Sequence, residues 1–299
     1  MTAATDAYRV SDDSSATRWA RRCVSVPIYV LIWLAFAAVL PLALAASLAV
    51  DAFRRRRWAR TRCVLFLFWV TSCDMVGLAA AFANWLLAGP WFLFSAERSL
   101  RLNRGLQVWW AGALCAGGRR IFAIDLRVES RPPAQNGGAI VLARHCSLAD
   151  TVLPIALLPR LHWRYVLKRE LLVHPCLDIV GQRLPTAFVR RGGGGDAAEI
   201  ERVAALGRGL GSKDAAMIFP EGTRFTPERR RRILDRLRQE GDAARLAEAE
   251  ALGAVLPLRP GGVTALLEAA PDADILILSH TGLEDAARLG DVWRGRLVG

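Results

Sequence analysis

From Val26 to Val50 the chain carries no charged residue, and this run constrains the fold more than any other feature. As an α-helix it would extend about 37 Å, against a hydrocarbon core of about 30 Å. A stretch of that length is expected to span a membrane with some tilt. Ala43-Leu44-Ala45 imitates a signal-peptidase site, but the run is too long for an ordinary signal peptide and Arg54 to Arg57 follow it, so the expectation is an uncleaved anchor. A second apolar stretch, Val64 to Phe94, is interrupted by Asp74, Asn84 and the Gly89-Pro90 pair. It reads either as a second apolar helix or as a re-entrant hairpin. Arg60 and Arg62 join Arg54 to Arg57 between the two stretches, and Arg98, Arg101 and Arg104 follow the second. By the positive-inside rule both flanks prefer the cytoplasm, which favours a segment that dips in and returns.

Polarity is segregated along the chain. Hydrophobic residues make up 53% of the 299 positions, and most of the charged 23% lies after residue 95. Residues 1–95 are therefore expected to form a membrane anchor, and residues 96–299 one globular domain. The net charge of +12 is carried almost wholly by arginine, since Lys occurs only at positions 168 and 213. Such a basic surface suits an anionic partner, and the apolar N-terminus favours lipid headgroups over nucleic acid. Six cysteines, at 23, 63, 73, 115, 146 and 176, include no C-x-x-C pair. Neither a zinc site nor a disulfide framework is indicated, and a reduced, cytosol-facing domain is the default.

From Ile121 the periodicities become those of an α/β domain. Ile121 to Glu129 alternates like a half-buried strand, and Ala139 to Ala143, Tyr165 to Leu167, Ala187 to Val189, Ala215 to Phe219 and Ile275 to Leu278 are short buried-strand runs. Helical patterns cover Asp150 to Leu158, Asp196 to Leu210, Pro227 to Glu240 and Val263 to Ala270. The alternation predicts a mostly parallel central sheet flanked by helices, with functional groups on loops at strand ends.

Two constellations sit at such ends. Arg144-His145-Cys146-Ser147-Leu148-Ala149-Asp150 follows the run Ala139 to Ala143. Across one turn, His145 and Asp150 can converge, the imidazole accepting a proton from a hydroxyl while the carboxylate fixes its tautomer. Ser147-x-x-Asp150 also reads as a capping box that needs no chemistry. Phe219-Pro220-Glu221-Gly222-Thr223-Arg224 follows the strand ending near Ile218. There Gly222 permits close backbone approach, Arg224 can grip a phosphate bidentately and Thr223 can add a hydroxyl, although a Pro-Glu-Gly surface turn has the same composition.

Together, His145-x-x-x-x-Asp150 and Phe-Pro-Glu-Gly-Thr-Arg resemble the glycerolipid acyltransferase family, which includes the 1-acylglycerol-3-phosphate and lysophospholipid acyltransferases. The resemblance runs from about Ala139 to Ser279. It implies that His145 deprotonates the acceptor hydroxyl for attack on an acyl thioester, that Asp150 assists, and that Glu221, Gly222 and Arg224 hold the acceptor phosphate. Phe188-Val189-Arg190-Arg191 resembles the block that ends in a phosphate-binding arginine, which would be Arg191. Leu256-Pro257-Leu258-Arg259-Pro260 resembles a proline-containing block associated with the donor, and Lys168 lies in a segment similar to the eukaryote-like branch, where it faces either acceptor or solvent.

Other signals carry less. Gly207 to Lys213 has a phosphate-loop flavour, but Ser212 precedes Lys213 instead of following it. Ser147 lacks the Gly-x-Ser-x-Gly elbow of a serine hydrolase. Arg229 to Arg232 read as a solvated helix face, Asp74 as a polar pocket or an interfacial residue, and His162, His174 and His280 have no partner motif. The expectation is thus a membrane-bound O-acyltransferase acting on a lysophospholipid such as 1-acylglycerol-3-phosphate. Acyl-CoA or acyl carrier protein would be the thioester co-substrate, with no bound cofactor or metal and no nucleic-acid partner. It would sit in a bacterial inner membrane with its catalytic domain facing the cytoplasm. The alternatives are an acyltransferase for another lyso-lipid and a non-catalytic basic protein of the membrane surface.

Overall fold

The computed structural model describes residues 13–54, 57–89, 95–129, 138–190 and 197–297. Its organising element is a sheet of five parallel strands: β1 (Ala139–Ala143), β2 (His162–Lys168), β3 (Thr186–Val189), β4 (Asp214–Ile218) and β5 (Asp274–Leu278), in the order β3-β2-β4-β1-β5. β1 and β4 are nearly continuous apolar runs because helices cover both of their faces, which is what a parallel sheet requires.

On one face Val141, Ala143, Trp163, Tyr165, Ala215 and Met217 pack with Ala111 and Ile155. Ala111 belongs to α3 (Ala96–Phe122) and Ile155 to the short α4 (Leu153–Leu157). On the other face Ile140, Ala187, Ala216 and Ile218 meet Val203, Leu206 and Leu266. These come from α6 (Ala197–Gly207) and α9 (Pro260–Ala269). Between these elements lie α5 (Pro175–Gly181), α7 (Pro227–Glu240) and α8 (Ala243–Ala251), and α10 (Leu289–Trp293) closes the described chain.

Ahead of the sheet stand α1 (Ser15–Arg54) and α2 (Ala59–Leu87), both long and apolar enough to cross a membrane. Many large apolar side chains of α1 face outward, Leu31, Leu42 and Phe53 among them, as a helix surrounded by lipid would require. The second apolar stretch is one unbroken helix from Ala59 to Leu87, so the hairpin reading that dips and returns does not describe it there; Pro90 to Phe94 lie outside the described residues. Its polar interruptions are satisfied internally. Asp74 accepts hydrogen bonds from Tyr29 Oη of α1 and, at 2.8 Å, from Trp110 Nε1 of α3, with His174 Nε2 at 3.3 Å. Asn84 Nδ2 donates to Leu102 O at 3.2 Å. Asp51, almost wholly buried, receives Thr61 N at 2.9 Å and ties the end of α1 to the start of α2.

Two sequence expectations need correction. Ile121 to Glu129 is not a strand: Ile121 and Phe122 end α3, Ala123 reverses the chain at φ 58°, and 124–129 pair with no strand among the described residues. Ile121, Phe122 and Ile124 instead pack beside Cys63 of α2, with Ala286 and Val292, whereas Val128 is exposed. The helix expected from Asp150 to Leu158 is split into a 3-10 turn at Ala149–Thr151 and α4, because Pro154 has no N–H to continue the ladder.

Gly117 on α3 lets α2 and α3 approach closely. A Cβ there would lie 2.1 Å from Nε1 of Trp69, whose indole N–H donates to Ala113 O at 3.0 Å. Gly117→Ala should therefore force this indole aside and destabilise the protein by about 1–3 kcal/mol, as overpacking does. A thermal melt in detergent checks this, and an unchanged midpoint would contradict the close packing.

Candidate active site

In a parallel sheet all strands end on the same side, so the C-terminal ends of β1, β2, β3 and β4 share one edge. The loop after β1 winds around the carboxylate of Asp150. Oδ2 of Asp150 accepts from Cys146 N at 2.7 Å and Ser147 N at 2.8 Å, and lies 2.9 Å from His145 Nδ1. The capping-box expectation is half met, since Ser147 Oγ accepts from Ala149 N rather than from the N–H of Asp150. The same carboxylate thus shapes the loop and holds the imidazole.

Burial alone would raise the pKa of Asp150, but the hydrogen bonds from His145, His280 and Ser147 outweigh it and hold the group at about 2. The carboxylate is therefore ionised near neutrality and can only accept, which places the hydrogen of a neutral His145 on Nδ1 and a lone pair on Nε2. The imidazole lies against Phe219, with ring centroids 4.1 Å apart and planes 23° from parallel. Its backbone is held on both sides, His145 N donating to Glu221 Oε1 at 2.8 Å and His145 O accepting from Phe225 N at 2.6 Å. Such a histidine has little freedom to turn.

Glu221 is 3% exposed, and its second oxygen accepts from Leu256 N at 2.8 Å. Both oxygens thus serve the backbone, joining the loop after β1 to the segment that leads into α9. Burial pushes the Glu221 pKa upward despite these two donors. Gly222 adopts φ 64°, and a Cβ there would lie 2.9 Å from Cδ of Arg259, so both conformation and space demand glycine. Thr223 follows in the same turn and is partly exposed. Arg224 is half-buried, with Nη1 donating to Ala287 O at 2.6 Å; burial, and then the neighbouring Arg229, lower its pKa. Thr226 caps α7 by accepting Arg229 N, and Arg229 and Arg230 turn back onto backbone carbonyls, leaving Arg231 and Arg232 as the solvated part of the basic run.

The other expected residues are placed less centrally. Lys168 ends β2, separated from β1 by β4, and pairs with Glu170 at 2.9 Å on a partly exposed surface. Arg191 lies outside the described residues, as does the glycine loop Gly192 to Gly195. Its neighbour Arg190 lines, with Arg21 and Arg169, a surface pocket of about 390 Å³.

Two residues that carried no expectation belong to the site. His280 Nε2 lies 2.8 Å from Asp150 Oδ1. Arg144 reaches Ala254 O, His280 O and Glu284 Oε1 at 3.1, 2.8 and 2.7 Å, fastening three loops beside His145. Cys146, Asp150 and His280 bring ligand atoms within 4.8 Å of one another, as do Asp74, His174 and Cys176. Burial and then the charge of Asp150 push the Cys146 thiol up to about 12, so it is a neutral thiol near pH 7. In the second group Asp74 already receives Tyr29 and Trp110.

Two outcomes follow from this geometry. Glu221→Ala leaves the N–H groups of His145 and Leu256 without an acceptor, at a cost of about 1–3 kcal/mol for each group that stays buried. A melting temperature equal to wild type would show that Glu221 does not brace these loops. Asp150 is depressed below the ordinary carboxylate value of about 3.9, so its stabilisation is complete above that pH and is lost as pH falls through about 2. Asp150→Asn should remove that part of the acid transition, which acid unfolding followed by circular dichroism measures.

A protein-family model described as Acyltransferase matches residues 125–281, a span that holds both motifs and all five strands. No curated protein and no solved structure matches the chain. The matched span covers more than half of the 299 residues and includes the histidine, the carboxylate and the strand ends that carry them, and on that ground the chain belongs to the acyltransferase family of glycerolipid enzymes.

Proposed function

We propose that this chain is a membrane-bound O-acyltransferase that moves a fatty acyl group from an acyl thioester to the free hydroxyl of a lysophospholipid such as 1-acylglycerol-3-phosphate. Residues 1–95 serve as the anchor and residues 96–299 as the acyltransferase domain, facing the cytoplasm. The observation that carries the reading is the His145 Nδ1–Asp150 Oδ2 contact of 2.9 Å at the strand-end edge of a parallel sheet, in a chain of this family. It sets Nε2 as the base.

In the proposed reaction His145 Nε2 takes the proton of the acceptor hydroxyl as its oxygen attacks the thioester carbonyl. The C–S bond of the tetrahedral intermediate then breaks, and the imidazolium returns its proton to the departing thiolate. Asp150 remains ionised throughout and stabilises the imidazolium. No protein nucleophile is needed.

Two further features support a lipid substrate. A cavity of about 200 Å³, lined by Leu106, Trp110, Ile155, Tyr165, Leu167 and their neighbours, lies between α2, α3 and the sheet, and Thr151, the residue after Asp150, forms part of its wall. Its lining is predominantly apolar, which suits a hydrocarbon chain. The two apolar helices keep the domain where such substrates reside. Arg224 and Arg191 are proposed to meet the acceptor phosphate, with Gly222 admitting it and Thr223 adding a hydroxyl. Glu221 supports the same loop through the backbone, and Lys168 is proposed as a more distant contact. The thioester is carried by coenzyme A or acyl carrier protein.

Acyl transfer by purified membranes, from long-chain acyl-CoA or acyl carrier protein to a panel of lysolipids, tests the reading. His145→Ala should remove turnover while the protein stays folded and membrane-bound; wild-type turnover in that variant would refute the base. Arg224→Ala should mainly raise KM for a phosphate-bearing acceptor, and an unchanged KM would remove Arg224 from the phosphate site.

A further inference from the structure

Asp150 is shared by two imidazoles. His280 follows β5, at the same sheet edge as the loop after β1, and its Nε2 lies 2.8 Å from Oδ1, the oxygen that His145, Cys146 and Ser147 do not use. Both histidine side chains are 11% exposed. Because the carboxylate only accepts, the hydrogen of His280 must sit on Nε2. Its other nitrogen, Nδ1, is buried and has no hydrogen-bond partner. Buried polar atoms are ordinarily paired, so this ring is seated for the sake of its Nε2 end alone.

The backbone around His280 is arranged to the same effect. Arg144, the residue before His145, donates Nη1 to His280 O at 2.8 Å and to Glu284 Oε1 at 2.7 Å, and its own N–H donates to Leu278 O at 3.0 Å. The loop carrying the first histidine thus fastens the loop carrying the second.

A carboxylate held through one oxygen is incompletely constrained. The terminal torsion of Asp is broad and nearly twofold, so either oxygen can be offered to a neighbour. Three donors converge on Oδ2, but only a donor on Oδ1 fixes the plane of the group. If that donor is removed, Oδ1 remains buried and unpaired, which favours rotation or protonation of the carboxylate.

We propose that His280 is a positioning residue of the acyl-transfer site: its Nε2–H holds Oδ1 of Asp150, so that Oδ2 stays aimed at His145 Nδ1 and the lone pair of His145 stays on Nε2. This rests on the reading of His145 as the base. His280 touches neither substrate, and its effect passes through Asp150.

The test uses the full chain in detergent or native membranes, with kinetics and melting measured together. His280→Ala should lower kcat by about 10- to 100-fold, the scale of loss when an outer-shell group that orients a metal-bound histidine is removed. It should leave both KM values close to wild type and the protein folded, with the melting midpoint lowered only modestly by the donor that buried Oδ1 loses. His280→Gln, whose amide N–H occupies nearly the same place as Nε2–H, should restore most of kcat. Wild-type kcat in His280→Ala overturns the proposal. So does a loss that appears in KM instead of kcat, or one that glutamine does not rescue. His145→Ala in the same assay separates the two readings. If it turns over like wild type, the base assignment itself fails; if it is inactive while His280→Ala is unimpaired, only the role of His280 falls. A readout independent of turnover is NMR of histidines labelled with 15N. The His145 tautomer should be Nδ1–H in wild type, mixed in His280→Ala and Nδ1–H again in His280→Gln, and a tautomer unchanged in His280→Ala overturns the proposal.

Discussion

A carboxylate remains ionised inside a protein only if donors replace the water it has lost. Asp150 is 2% exposed, and two backbone N–H groups and two imidazoles surround it. This requirement explains the shape of the loop after β1, which curls so that Cys146 N and Ser147 N face inward. It also explains why Arg144 and Glu221 are engaged with backbone groups: each ties a neighbouring segment to the loop that presents His145. The local network is therefore continuous from β5, through the loop after β1, to the segment ahead of α9. A change at any of these places reaches the imidazole.

The helical layer solves a similar problem in different surroundings. Asp51 and Asp74 are charged side chains in or beside apolar helices, where an unpaired carboxylate would be costly. Each is buried and bonded across helices, Asp51 between α1 and α2, and Asp74 among α1, α2, α3 and the segment entering α5. These bonds fix the order in which the helices stack. α3 then presents Ala111 to the sheet, so the layer that includes the apolar helices is also one wall of the α/β core.

Much of the α/β half was legible in the sequence because its signals are local. The runs that became β1, β3, β4 and β5 are short and apolar, and Pro227 to Glu240 is bounded by Thr226 and Gly241 as caps. His145 and Asp150 were legible for the same reason, standing five positions apart in one loop. α3 was not read as a helix, since its buried face, Asn103, Leu106, Ala111 and Leu114, is narrow and broken by tryptophans and arginines. The alternation from Ile121 to Glu129 misled because it runs across the end of α3: Phe122 closes that helix, Ile124 packs beside α2, and Val128 is exposed. His280 was beyond reach: 130 positions separate it from Asp150, and only the pairing of β1 with β5 brings them together.

Asp178 on α5 is fully buried, and its two oxygens are held by Arg21 and Arg22 of α1 at 2.7 and 2.9 Å. A chain cut at residue 95 would strand this carboxylate without either cation, and would strip His174, Trp110 and the outer face of α3 of their partners. A solvent-excluded ion pair that loses one side is among the more costly defects a fold can suffer. Isolating the α/β domain by deleting its first helices would therefore disturb the sheet it was meant to preserve, because those helices supply the partners of its buried charge.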